Sequence, residues 1–203
     1  MLPIFTTRRE MFKLESNLKF VNVDVDYVRA LHDKCPEVYY MPKEYENKPC
    51  IGILVSQSGY KYVLPLTSAK QKHKSWKNVD RDRMLIFEMV DKNELSSKDV
   101  WVKVDETNIV KHIMSAIDIK KMIPVTDEVY SVVNINHSEH DDDSIKKYKD
   151  LLNKEYSFCI KVIDEIVIKA SRIYEKQVKT GKPQMFACDF LLLEKVAKEY
   201  KKY

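Results

Sequence analysis

Thr67, Ser68 and Lys70 stand together in Leu66-Thr67-Ser68-Ala69-Lys70, where an apolar stretch ends. Two hydroxyls and the backbone N–H groups of such a loop can donate to phosphate oxygens, and the lysine ammonium can balance their charge. The chain then continues through Lys72, Lys74, Lys77, Arg81 and Arg83, opposed only by Asp80 and Asp82, with His73 and Trp76 among them. Cations interleaved with rings suit single-stranded nucleic acid, because the cations take phosphates and the rings take bases. The same residue types also make an ordinary turn followed by a solvated basic loop. Composition alone leaves both readings open.

The elements that must present this loop are two apolar stretches, residues 50–55 and 60–66, flanking Gln57-Ser58-Gly59. Gly59 can adopt the positive φ of a tight turn, so the segment predicts an antiparallel hairpin. Pro65 has no N–H for a ladder and belongs on an edge or at a strand end. The second strand is therefore expected to stop there, leaving Thr67 to Lys70 on a loop with a free backbone.

Through Ile51-Gly52-Ile53 and Lys61-Tyr62-Val63-Leu64-Pro65-Leu66-Thr67-Ser68-Ala69-Lys70 this hairpin resembles the toxins of type III toxin–antitoxin systems, the ToxN, AbiQ and CptN endoribonucleases, and CptN most. Lys19-Phe20, Tyr27 on a short predicted helix, Met122-Ile123-Pro124 and Cys188-Asp189-Phe190-Leu191-Leu192-Leu193-Glu194 support it, so the likeness covers nearly all of the chain after Leu18. It implies an α+β fold related to the MazF and Kid toxins: a small twisted antiparallel β-barrel with flanking helices, including a long C-terminal one. It also implies a metal-independent RNase of phage defence by abortive infection, with no cofactor. Its partner would be a small repeat-derived, pseudoknotted RNA antitoxin, which the toxin cuts to unit length and binds in a closed protein–RNA assembly. Cellular or phage RNA would be the substrate.

Carried over position by position, the resemblance has Thr67 and Ser68 holding the scissile phosphate and Lys70 stabilising its extra charge. Tyr27 matches an active-site tyrosine, as does Tyr45 more loosely, because a gap intervenes before Gly52. Lys48 is a further phosphate ligand, and His73 falls where a relative has histidine. Lys72 departs from the pattern, a relative having tryptophan there, and Trp76, shifted along the chain, is the remaining candidate for stacking. Lys74 and Lys77 complete the expected RNA contacts. Each has a plainer alternative: with twelve tyrosines in the chain, any one is by default a packing residue, and Lys48 could be a solvated strand-end lysine. A non-catalytic RNA-binding module using the same loop is the alternative function. An interaction protein on the same small barrel ranks below it, since the loop would then have no purpose.

The remaining composition sets bounds. A chain of 203 residues, 44% hydrophobic and 33% charged, is long enough for one buried core. No apolar run approaches the roughly 20 residues of a membrane span, and the N-terminus lacks a signal-peptide apolar region. The net charge of +4 is too mild to argue for nucleic acid by itself. Cys35, Cys50, Cys159 and Cys188 have no paired spacing, which fits reduced thiols and a cytoplasmic protein. His137-Ser138-Glu139-His140 and the aspartates after it read as a polar turn before a helix rather than a metal-ligand set.

Short β-type segments at residues 84–90, 100–104, 109–117 and 119–125 give way near residue 137 to helical periodicity. Residues 144–180 carry apolar side chains at steps of three and four, entered by Asp141-Asp142-Asp143 and stopped by Gly181 and Pro183. A final helix is expected from 189 to about 201, and Asp24 can cap a short one carrying Tyr27. This order predicts one domain over residues 19–203, with residues 1–18 an N-terminal extension or cloning remnant outside the fold.

Overall fold

The computed structural model describes residues 12–40, 49–56 and 59–201. Nine strands form one antiparallel sheet: β1 (Phe12–Leu14), β2 (Phe20–Val23), β3 (Cys50–Ser56), β4 (Lys61–Ser68), β5 (Arg83–Asp91), β6 (Val100–Lys103), β7 (Ile109–Asp118), β8 (Ile123–Val125) and β9 (Tyr130–Val132). Their order is β5-β7-β4-β3-β2-β9, with β1 beside β3, β6 beside β7 and β8 beside β4. Three helices pack on it: α1 (Val25–Lys34), α2 (Asp143–Thr180) and α3 (Phe190–Glu199). The α+β class holds, but the expected closed barrel does not: among the described residues the end strands β5 and β9 do not pair, and the sheet stays open.

β4 changes partners along its length. Its first half pairs with β8 from Lys61 to Val63, and its second half pairs with β7 from Leu66 to Ser68. Pro65 falls in the gap between those two partners, where a missing N–H breaks no ladder on that side. The strand therefore continues past the proline, and the expectation that it ends there is corrected. Opposite the gap, Gly52 sits in β3 at φ +73°, at a bulge between Ile51 and Leu54 where the register with β4 shifts. Glycine is the residue that takes this conformation without strain, and the bulge adds local twist. Gly59, at φ +87°, supplies the hairpin turn as expected.

The expected strand at 119–125 is split: Ile119–Lys121 is a 3-10 turn, and only β8 beyond it is extended. Residues 12–18, expected to lie outside the fold, belong to it. Phe12 is 1% exposed, donates its N–H to the Ser171 hydroxyl, and meets Tyr62 and Tyr174 edge-on.

Helix boundaries follow their caps. Asp24 accepts from the N–H groups of Asp26 and Tyr27, Asp142 from that of Ile145, and Gly181 closes α2 at φ +63°. Asp189 caps α3, whose first N–H, from Phe190, reaches Gln177 Oε1 on α2 at 2.6 Å. Behind Phe190, the buried Glu194 carboxylate accepts from the Tyr62 and Tyr174 hydroxyls at 2.9 and 2.7 Å. The Cys188–Glu194 fragment is thus a core lock, polar but hydrogen-bonded.

Candidate active site

Thr67 and Ser68 are the last two residues of β4, paired with Ala116 and Ser115 of β7. Adjacent strand residues face opposite sides. Thr67 lines a cavity and reaches the Ala116 carbonyl at 3.4 Å. Ser68 is exposed at the strand end, outside that lining. The backbone after it is not free. Ala69 N–H is bonded to the Met114 carbonyl and Lys70 N–H to His73 Nδ1 at 3.1 Å. An anion arriving here meets side chains, not those two N–H groups.

The cavity, about 140 Å³, is lined by Thr67, Lys70, Lys72, His73 and Trp76 from the exit segment, by Cys50, Pro65 and Leu66 below, and by Tyr39, Ala116 and Asp118 opposite. His73 sits in the 3-10 turn Gln71–Ser75 and is 1% exposed. Its backbone N–H donates to the Lys70 carbonyl at 2.8 Å while its ring accepts the Lys70 N–H, so Lys70 is gripped twice. Accepting at Nδ1 requires that nitrogen to be unprotonated. Burial, then the charges of Lys72, Lys70 and Arg83, hold the imidazole below its ordinary pKa, which keeps it in that state.

Trp76 packs on His73 at 4.4 Å between centroids, with Arg83 over its ring at 4.1 Å and Lys72 at 5.5 Å. The basic run does not form one surface. Lys72 serves the cavity, Lys74 lies over Trp101, and Lys77 points into a separate groove. That groove joins Lys77 and Arg81 to Lys169, Arg172 and Lys176 of α2, spaced along one helix face. Among the described residues Lys77, Arg81, Arg172 and Lys176 make no ion pair, while Lys169 is held by the Asp80 carbonyl and Glu165.

Tyr27 requires correction. It is fully buried, its hydroxyl donates to the Pro124 carbonyl at 2.7 Å, and its ring meets Tyr200 edge-on. A core tyrosine with its one proton engaged cannot touch substrate. Tyr45 and Lys48 lie outside the described residues. Sequence reasoning missed Tyr39 and Asp118, which come from the segment after α1 and the end of β7; neither sits in a local pattern that would single it out.

An open antiparallel sheet with three packed helices, and a cationic strand exit over a ring-lined cavity, defines an α+β protein. Residues 19–198 match the family of the toxin ToxN of type III toxin–antitoxin systems, and the chain belongs to that family. It is 27% identical over 194 residues to Endoribonuclease ToxN of Bacillus thuringiensis subsp. kurstaki, covering 92% of this chain and 86% of the relative. To Endoribonuclease ToxN of Pectobacterium atrosepticum it is 26% identical over 192 residues, covering 91% and 95%. A solved structure from a bacterial type III system, described for selective toxin inhibition by a non-coding RNA pseudoknot, superposes with a TM-score of 0.69 at 22% identity, over 93% of this chain and 100% of the other. The likeness holds at family level; these matches do not narrow it to CptN.

Proposed function

We propose that this chain is an endoribonuclease toxin of a type III toxin–antitoxin system that cleaves RNA without a metal ion. The observation that carries the reading is the convergence of Thr67, Lys70, Lys72, His73 and Trp76 on one cavity at the hairpin exit, in a chain of the ToxN family. The substrate's own 2′-hydroxyl attacks the adjacent phosphorus and the P–O5′ bond breaks, leaving a 2′,3′-cyclic phosphate and a 5′-hydroxyl. Thr67 holds a phosphate oxygen from the cavity wall, while Ser68, exposed across the strand end, contacts the RNA backbone outside the cavity. The Lys70 ammonium offsets the charge that develops on the pentacovalent phosphorane, and His73 positions Lys70. The antitoxin is a repeat-derived, pseudoknotted RNA that the toxin processes and then binds in a closed assembly, its backbone drawn to the groove between residues 77–81 and α2. Cellular or phage RNA is the target. The protein acts in the cytoplasm; no helix among the described residues is long and apolar enough to cross a membrane.

The test is cleavage of a defined RNA in excess chelator. Products should carry cyclic phosphate ends, and a substrate with 2′-deoxy at the scissile nucleotide should survive. Lys70→Ala should lower turnover by about 10²–10³, the usual cost of losing one transition-state donor. Cleavage of the deoxy substrate would point to an activated water and sink the mechanism.

A further inference from the structure

Asp118 ends β7 on the wall of the cavity facing Thr67 and Trp76. It is 8% exposed. Its Oδ2 accepts from the Tyr39 hydroxyl at 2.9 Å. Its Oδ1 is buried with no hydrogen-bond partner among the described residues. A buried carboxylate oxygen left without a donor is costly, and native structures rarely keep one except where a ligand, ion or water completes it.

The Tyr39 partner is itself held by contacts. Lys121 is 6% exposed; its ammonium donates to the Glu37 carbonyl at 2.9 Å, pairs with the Glu37 carboxylate, and lies over the Tyr39 ring at 5.4 Å. The Tyr39 ring is thus clamped from behind while its hydroxyl orients Asp118. Burial raises the Asp118 pKa, and the Tyr39 hydroxyl, Lys120 and Lys121 hold that rise in check. Lys120 itself is drawn to Asp82 at 3.0 Å, so it does not cap Asp118.

The rest of the cavity has the character of a base pocket. Trp76, packed against His73 and Arg83, supplies an aromatic wall, Pro65, Leu66 and Ala116 supply apolar walls, and Lys70 and Lys72 add the positive charge that a neighbouring phosphate needs. A volume of about 140 Å³ has room for a planar ring rather than a single water, which occupies about 30 Å³. Carboxylates read bases by accepting from their amino groups.

We propose that Asp118, oriented by Tyr39, is the specificity-determining residue of this toxin and accepts a hydrogen bond from the exocyclic amino group of a nucleobase next to the cleaved phosphate. The inference rests on the RNA-cleavage reading of the same cavity. Adenine, cytosine and guanine carry such an amino group; uracil does not. Its N3–H is flanked by two carbonyl oxygens, which would face the carboxylate.

Binding isolates this claim from catalysis. Titration of Trp fluorescence with uncleavable 2′-deoxy trinucleotides should give at least tenfold tighter binding for cytosine than for uracil at the tested position, and for adenine than for purine lacking the 6-amino group. In Asp118→Asn the carboxamide can turn either its oxygen or its N–H₂ to the base, and the preference should fall to within about twofold. Tyr39→Phe, which frees the carboxylate to rotate, should shrink it partway. A wild-type protein indifferent to the amino group would overturn the proposal while leaving cleavage intact, and so would an undiminished preference in folded Asp118→Asn. Retained preference without any RNA cleavage would instead overturn the endoribonuclease reading.

Discussion

His73 shows how one buried side chain can set the electrostatics of a loop without touching substrate. Its Nδ1 accepts the Lys70 N–H, a bond available only to the neutral ring. Because burial and the neighbouring cations lower its pKa, the native loop binds the proton less readily than an unfolded chain would. The sign is then set: this contribution is complete above the ordinary histidine value of about 6.5 and is lost as pH falls through the lower native value. RNA cleavage should therefore weaken on the acid side as Lys70 loses its anchor. His73→Asn, which keeps an acceptor that does not titrate, should flatten that limb, whereas His73→Ala should be slower at every pH by about fivefold, one lost hydrogen bond. Rate–pH profiles of the three proteins decide it. An unchanged acid limb in His73→Asn would assign the titration to another group.

At the scale of elements, α2 carries the clearest tension between burial and charge. Glu155 is 4% exposed where α2 crosses the sheet. It faces the Ser115 hydroxyl of β7, close enough to pull its pKa down slightly but outside hydrogen-bonding geometry. Burial dominates and raises the carboxyl to about 7. A native value above the unfolded one means that the fold prefers the protonated form, so stability is greatest at acid pH and declines as pH rises toward 7. From an ordinary 4.5 to about 7, the loss above neutrality is about 3 kcal/mol. Glu155→Gln should match the wild type near pH 4.5 and exceed its stability by up to that amount at pH 8. Urea denaturation at both pH values measures it; equal midpoint shifts at the two would rule out the linkage. The start of α2 behaves differently from its middle. Ile145, Tyr148 and Leu151 continue the apolar stripe but remain 36–43% exposed, because the helix begins beyond the edge of the core.

Across the whole molecule, the two cationic features lie apart. The cavity gathers Lys70 and Lys72, whereas the groove gathers Lys77, Arg81, Arg172 and Lys176 from segments far apart in sequence. If the groove carries antitoxin backbone, Arg172→Gln and Lys176→Gln should each flatten the slope of log affinity against log salt by about 0.7–0.9, one phosphate contact apiece. Turnover on a short substrate should stay unchanged in both. Filter binding of the antitoxin RNA across a salt series tests this, and slopes identical to wild type would remove the groove from the interface.

Local chemistry was legible from the chain itself. Capping aspartates and Gly181 bounded the helices, Gly59 marked the hairpin turn, and the hydroxyl-and-lysine exit picked out the segment that lines the candidate cavity, because caps, positive φ and ionic character act within a few residues. Only tertiary structure could place what depends on residues distant in sequence. Pro65 sits within a strand because β4 changes partners there. Phe12 joined the core because Ser171, Tyr62 and Tyr174 receive it. Tyr27 looked like a site residue until α1 turned it toward Pro124. Tyr39 and Asp118, separated by most of the sheet in sequence, became a pair only when β7 and the segment after α1 closed on one cavity. Burial is a property of the assembled fold, and burial decides which polar groups are spent inside it and which remain to meet a ligand.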